Sequence, residues 1–143
     1  MARVKTFWIK TSALLNYANP FEETAWVDLS NHLTLKEVDQ VLVKGQEKLW
    51  PPFCFNDWVG LSSLAIRRRH LQKVAWFVKH GFQAPISLDV GIPSMGYCPS
   101  WLIDDGNHRF TAAAYRRLTL KEDPILPCHI GGSLDHFKKM NLV

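Results

Sequence analysis

Trp101-Leu102-Ile103-Asp104-Asp105-Gly106-Asn107-His108-Arg109-Phe110-Thr111-Ala112-Ala113-Ala114-Tyr115-Arg116-Arg117-Leu118 decides how this chain folds. The first three residues are apolar and suit a buried strand. Asp104, Asp105, Gly106 and Asn107 break that run, as turn residues do. From His108 onward the composition is helical. Ala112, Ala113, Ala114, Arg116 and Leu118 are good helix formers, and Phe110, Ala113, Ala114 and Leu118 share one face at helical spacing. The stretch therefore reads as strand, tight turn, helix.

That turn delivers its residues to a helix N-terminus, where free backbone N–H groups and the helix dipole favour an anion. Gly106 allows close approach of a ligand to the backbone. His108 and Arg109 add donors, and a guanidinium is suited to gripping phosphate. Asp104 and Asp105 supply carboxylates on the strand side, where a magnesium ion riding on phosphates would be held. Two readings stay open on chemistry alone. One is a nucleotide-phosphate site. The other is a capped turn whose polar groups satisfy the helix end, because short motifs match by chance.

The rest of the chain sets bounds. Its 143 residues suit one domain with a sizeable core. No apolar run is long enough to cross a bilayer. Phe7-Trp8-Ile9 is too short for a secretory leader and Lys10 interrupts it, so the default location is cytoplasmic with no membrane partner. Cys54, Cys98 and Cys128 form no CxxC pair and are expected to be reduced and mostly buried thiols. A net charge of +4 permits a nucleic-acid partner without requiring one. Most of the six tryptophans are expected in the core, with one or two free to stack on a base.

Working back to the start, Val4 to Lys10 reads as a strand, Asn16 to Pro20 as a turn, and Trp26-Val27-Asp28-Leu29 as a short strand. Thr34-Leu35-Lys36-Glu37 is a capping-box pattern that opens a helix, which Gly45 weakens or ends. Residues 50–61 are aromatic and irregular, with Trp50, Phe53, Phe55 and Trp58 around Asn56 and Asp57. They read first as core; a lid or a protein-docking patch is the functional alternative. Ser62 or Ser63 caps a helix running to His80, with Gly81 at its left-handed end and Leu64, Leu71, Val74, Ala75 and Val78 as the buried stripe. Arg67-Arg68-Arg69 reads as a solvated face, with a phosphate or nucleic-acid contact as the alternative. Pro85 to Val90 is a strand, Ile125 to Ile130 the last strand, and Leu134 to Met140 a short terminal helix. His129 reads as a structural histidine, and His32, His70, His80 and His136 lack metal-cluster spacing.

Asp105-Gly106-Asn107-His108-Arg109-Phe110-Thr111-Ala112-Ala113 resembles the signature of the ParB/sulfiredoxin superfamily. Lys73 to Val78, Gly81 and Pro85 to Val90 resemble the helix, glycine and Pro-Ile strand upstream of that signature, and Ile125 to Ile130 the strand that follows. The likeness covers roughly residues 65–131. It implies an α+β fold, a compact domain with a small mixed sheet flanked by helices. It also implies that Lys73 approaches the nucleotide. Asn107 stands where sulfiredoxins carry their reactive cysteine, which argues against sulfinic-acid repair. Trp76 replaces a serine of the Lys73 segment. The glutamate of the ParB motif is missing, and about a dozen residues follow the last strand, too few for a helix-turn-helix.

The expectation is a stand-alone nucleotide-binding domain of plasmid or phage type. It would bind ATP, or another nucleoside triphosphate, with Mg2+ and hydrolyse a phosphate ester as an ATPase, a DNA nuclease or both. Gly106, Asn107 and His108 would cradle phosphates, with Arg109 and Lys73 alongside. Asp104 or Asp105 would bind the metal or orient a water. His108 would stabilise charge or act as general acid or base, and the residues do not choose. Two alternatives stand beside this: a silent inhibitor or adaptor that docks a protein through residues 50–61, and a small-molecule kinase.

Overall fold

A computed structural model describes residues 4–52 and 58–143. Among these the protein is α+β, with a four-stranded mixed sheet and five α-helices. In chain order they are β1 (Phe7–Lys10), α1 (Thr11–Leu15), α2 (Leu35–Val43), α3 (Ser63–His80), β2 (Ile86–Asp89), β3 (Ile103–Asp105), α4 (Asn107–Leu120), β4 (Ile125–Gly131) and α5 (Leu134–Lys139). The strand order is β1-β4-β2-β3. β4 pairs antiparallel with β1 and parallel with β2, and β2 pairs antiparallel with β3.

Residue chemistry accounts for the element ends. At α2 the capping box forms as its sequence requires. Thr34 Oγ1 accepts from the Glu37 N–H at 3.2 Å and the Glu37 carboxylate accepts from the Thr34 N–H at 3.1 Å. Ser62 caps α3 by accepting from the Ala65 N–H, and Gly81 closes it with φ 93° and an extended ψ of 173° rather than the left-handed helical value. Gly106, at φ 92° and ψ 25°, makes the whole turn from β3 to α4. A Cβ there would lie 2.6 Å from Ile86 Cγ2, so both backbone angle and space select glycine.

α4 lies between two apolar clusters. Phe110 and Ala113 face the sheet with Ile9, Ile86, Leu88, Leu126 and Phe137. Ala112 and Tyr115 face α2 and α3 with Val38, Val41, Leu71 and Val74. A helix buried on two sides must be apolar over most of its girth, and Phe110 to Tyr115 are all buried. The Tyr115 hydroxyl donates to the Asp39 carboxylate, fastening α4 to α2.

Four expectations need correction. Trp26 to Leu29 is a turn, closed by a Leu29 N–H to Trp26 carbonyl bond at 3.2 Å, and pairs with no strand of the sheet. β3 continues through Asp104 and Asp105. Leu64 is 80% exposed, because the buried stripe of α3 begins about two turns further on, at His70 and Leu71. Of the tryptophans, Trp58 is buried, Trp8 is exposed and Trp26, Trp50, Trp76 and Trp101 are half-buried, so the described core is mainly aliphatic, with Phe110, Phe137 and Trp58 as its largest fully buried aromatics. The sequence pattern also missed α1. It is held by distant contacts, Thr11 N–H and hydroxyl to the Pro124 carbonyl at 2.9 and 2.6 Å, and Ser12 to Asp123.

Candidate functional site

β3 ends and α4 begins at one cleft of about 390 Å³, within the roughly 300–1,000 Å³ of ordinary ligand sites. Asp104, Asp105, Gly106, Asn107, His108 and Arg109 line it, and so does Lys73 from α3. The structure thus gathers every candidate site residue into one place, including one more than thirty positions away from the rest. Trp26 and Phe77 complete much of the wall.

Each side chain has a distinct situation. The Asn107 side chain is locked: it accepts from the Trp101 indole N–H at 2.8 Å and donates to the Ile103 carbonyl at 3.2 Å. Its backbone N–H and the second amide N–H are what it has for a ligand. The N-cap of α4 is Gly106, which has no side chain to cap the helix, so among the described residues the first-turn amides carry the usual unsatisfied N–H groups. Asp105 accepts from the Gly106 N–H at 2.9 Å. Both aspartates are exposed, and Asp104 also borders a neighbouring hollow with Asp89, Tyr97 and His129. Arg109 Nη2 donates to the Pro85 carbonyl at 3.0 Å, while its buried Nε has no acceptor among the described residues. Lys73 is buried at 9% exposure.

Behind His108 lies a chain of charged and polar groups. His108 Nε2 is 2.8 Å from His70 Nδ1, and His70 Nε2 is 3.0 and 3.2 Å from the two Asp28 carboxylate oxygens. His70 is fully buried, whereas the Asp28 side chain keeps 15% of its exposure. Trp26 lies over both imidazoles, with ring centroids 4.5 Å from His70 and 4.7 Å from His108. Trp58, 2% exposed, packs on His70 at 5.1 Å. Burial pushes the His108 pKa well below the ordinary histidine value, and the charges of His70, Lys73 and Arg109 push the same way. Burial also lowers the His70 pKa, and the hydrogen bond that His70 donates to Asp28 only partly opposes it. Burial thus favours the neutral form of both rings.

Asp28, His70 and Trp26 were missed by sequence reasoning. His70 had a signal. It shares a row with Lys73 and Phe77 at spacings of three and four, beside the apolar stripe of α3, which places it at the helix's buried edge. Asp28 had none, since 42 residues separate it from His70.

Other expectations do not converge here. His129 lies on β4, which neighbours β1 and β2 rather than β3, and it pairs with Thr6 Oγ1 at 3.4 Å. Arg67 of the basic run is spent on Glu37 and on the Asn31 and His32 carbonyls. Arg68 reaches Gln46, and Arg69 stacks over Trp50 at 3.8 Å. Those arginines tie elements together and do not form a free phosphate-binding face. Within residues 50–61, Trp58 is core and Trp50 donates to Gln72, while Phe53, Cys54, Phe55, Asn56 and Asp57 lie outside the described residues. Of the remaining thiols, Cys128 is buried and Cys98 is exposed. No described helix is long and apolar enough to cross a membrane. Among the described residues no group of three or more His, Cys, Asp and Glu side chains is placed to hold a metal. No protein-family model, curated protein or solved structure matches the chain.

Proposed function

We propose that the cleft at the start of α4 binds a phosphate ester, foremost a nucleoside triphosphate such as ATP, and that His108 serves there as general base for its hydrolysis. One observation carries this reading. A neutral imidazole, backed by a buried histidine and a carboxylate, faces a cleft that also holds Lys73, Arg109 and an uncapped helix N-terminus. The buried Arg109 Nε supplies a donor with no acceptor among the described residues, and a phosphate oxygen is such an acceptor. The resemblance of residues 65–131 to the ParB/sulfiredoxin superfamily points the same way.

The roles divide by charge. Lys73 and Arg109 bring fixed positive charge for phosphoryl oxygens. A neutral His108 adds none and instead accepts the proton of an attacking water. Bound phosphate would raise the His108 pKa toward neutrality, because a nearby anion favours the imidazolium. The base therefore strengthens when substrate is present.

Magnesium fits as a passenger of the nucleotide. Asp104 and Asp105 offer two exposed carboxylates at the cleft edge, and this ion needs only one or two beside substrate phosphates and water. When bound it would neutralise phosphate charge; the chain's own contribution is to hold it with Asp104 or Asp105.

The test is a calorimetric titration of Mg2+ with ATP, CTP and ADP into the wild type and Arg109→Ala, followed by phosphate-release assays on His108→Gln. The expected result is binding by the wild type, at least tenfold weaker binding by Arg109→Ala, and loss of turnover in His108→Gln with binding retained. A wild type that binds none of these nucleotides, or a His108→Gln variant at full rate, would overturn the reading.

A further inference from the structure

Proton direction along Asp28, His70 and His108 is fixed by which atoms can donate. A carboxylate only accepts, so His70 must place its proton on Nε2, the atom 3.0 Å from Asp28 Oδ1. A neutral His70 then presents a bare Nδ1. That atom can only accept, and 2.8 Å away stands His108 Nε2. The His108 proton is therefore on Nε2, which leaves Nδ1 as the basic atom of the ring that lines the cleft. Trp26 stacked on both imidazoles and Trp58 packed on His70 hinder the ring rotations that would undo this order.

Asp28 also has an opening of its own. It borders a hollow of about 490 Å³ with Val27, Ser30, Ser63, Leu64 and Arg67. None of the described residues around that hollow lines the cleft. The carboxylate that sets the proton order is thus reached from one hollow, and the ring it orders acts in another.

We propose that Asp28 and His70 are positioning residues: Asp28, acting through His70, fixes the tautomer of His108 and so selects Nδ1 as the base in the cleft. The role assigned to that base rests on the hydrolytic reading above; the tautomer does not. In the hydrolytic step one proton passes from the attacking water to His108 Nδ1. The hydroxide oxygen forms the new P–O bond, and the leaving group departs with the electron pair of the old one. Asp28 and His70 touch neither water nor phosphorus. They hold the receiving nitrogen bare beforehand, and the carboxylate steadies the positive charge afterward.

The experiment is 15N NMR of the full chain labelled at histidine, at pH 7, on wild type and Asp28→Ala, each with and without sodium formate. Expected in the wild type are His70 and His108 both carrying their proton on Nε2. Asp28→Ala is expected to lose that single order in both rings. Formate, small enough to enter from the Asp28 hollow, is expected to restore it. A wild-type His108 with its proton on Nδ1 overturns the proposal without any variant having to fold. So does an Asp28→Ala spectrum with both tautomers unchanged, the result for a carboxylate that merely satisfies a buried histidine.

Hydrolysis of bis(p-nitrophenyl) phosphate gives the second readout. Asp28→Ala is expected to lower kcat roughly tenfold or more with little change in KM, and formate to recover part of it while leaving the wild type alone. Wild-type tautomers as expected with no His108-dependent hydrolysis would reject the hydrolytic reading and leave the positioning assignment standing. Hydrolysis that needs His108 but ignores Asp28 would reject the assignment instead.

Discussion

At the scale of single residues, the protein has buried two imidazoles in their neutral form, and that choice has a pH consequence. The folded-state pKa of His70 and of His108 lies below the ordinary value, chiefly through burial. The unfolded chain therefore binds more protons than the native state as pH falls below about 6.5, and stability falls with it. The window from pH 7 to 5 isolates this effect, since the lowered carboxylates Glu37, Glu47 and Asp123 lose their contribution only further into acid. Urea denaturation at pH 7, 6 and 5 should show a declining midpoint in the wild type and a shallower decline in His108→Gln. A flat wild-type profile would mean that the folded chain takes up protons as the unfolded chain does, so that burial leaves the two rings unshifted. The sequence disclosed half of this arrangement. His108 was legible because it stands three residues after the strand-ending carboxylates and next to Arg109. Asp28 was not, because an aspartate in an irregular segment looks like any turn residue until the chain brings it back across 42 positions.

At the scale of elements, the loop carrying Trp26 and Asp28 has no regular structure of its own, so another element must hold it. Arg67 of α3 does so. Its guanidinium donates to both Glu37 carboxylate oxygens, at 2.7 and 2.6 Å, and to the Asn31 and His32 carbonyls at 3.0 and 2.9 Å. Glu37 is at once the capping residue of α2, and the Arg67 hydrogen bond holds its pKa below the usual carboxylate value. One side chain thus joins the α2 N-terminus, the loop and α3. The capping box was legible, because both its members lie three residues apart. The arginine's partners were not, because they lie thirty and more residues away, and a run of three arginines invites an electrostatic reading first. Arg67→Ala should cost roughly 1–3 kcal/mol, as for a partly buried charged group that leaves its acceptors behind. Urea denaturation measures that loss, and hydrogen exchange should speed up over residues 26–37 while α4 stays protected. Equal protection along both segments would show that the loop is held by its own packing.

The order β1-β4-β2-β3 puts the strand of the decisive stretch on the edge of the sheet, and this shapes the whole molecule. α4, which leaves β3 through a single glycine, packs back on a face of the sheet, and α3 packs on the far side of α4. The alanines at 112–114 were read as helix formers. Their larger role is size: Ala112 faces one cluster and Ala113 the other, both with no exposed surface. Strand order could not be read from the pattern, because pairing joins residues such as Phe7 and Cys128 that share no local signal. A helix wedged in this way cannot absorb added volume without moving. Ala113→Leu should therefore destabilise the protein by about 1–3 kcal/mol, whereas Leu120→Ala, at a position 52% exposed on the same helix, should stay within about 0.5 kcal/mol of the wild type. The same shift would press α4 off the sheet and against α3, disturbing the contact of His108 with His70, so nucleotide affinity should fall in Ala113→Leu and hold in Leu120→Ala. Paired urea curves and titrations of the two variants decide it. Ala113→Leu with wild-type stability would show that α4 has slack between its two cores, and the geometry at its N-terminus would then owe nothing to the alanines behind it.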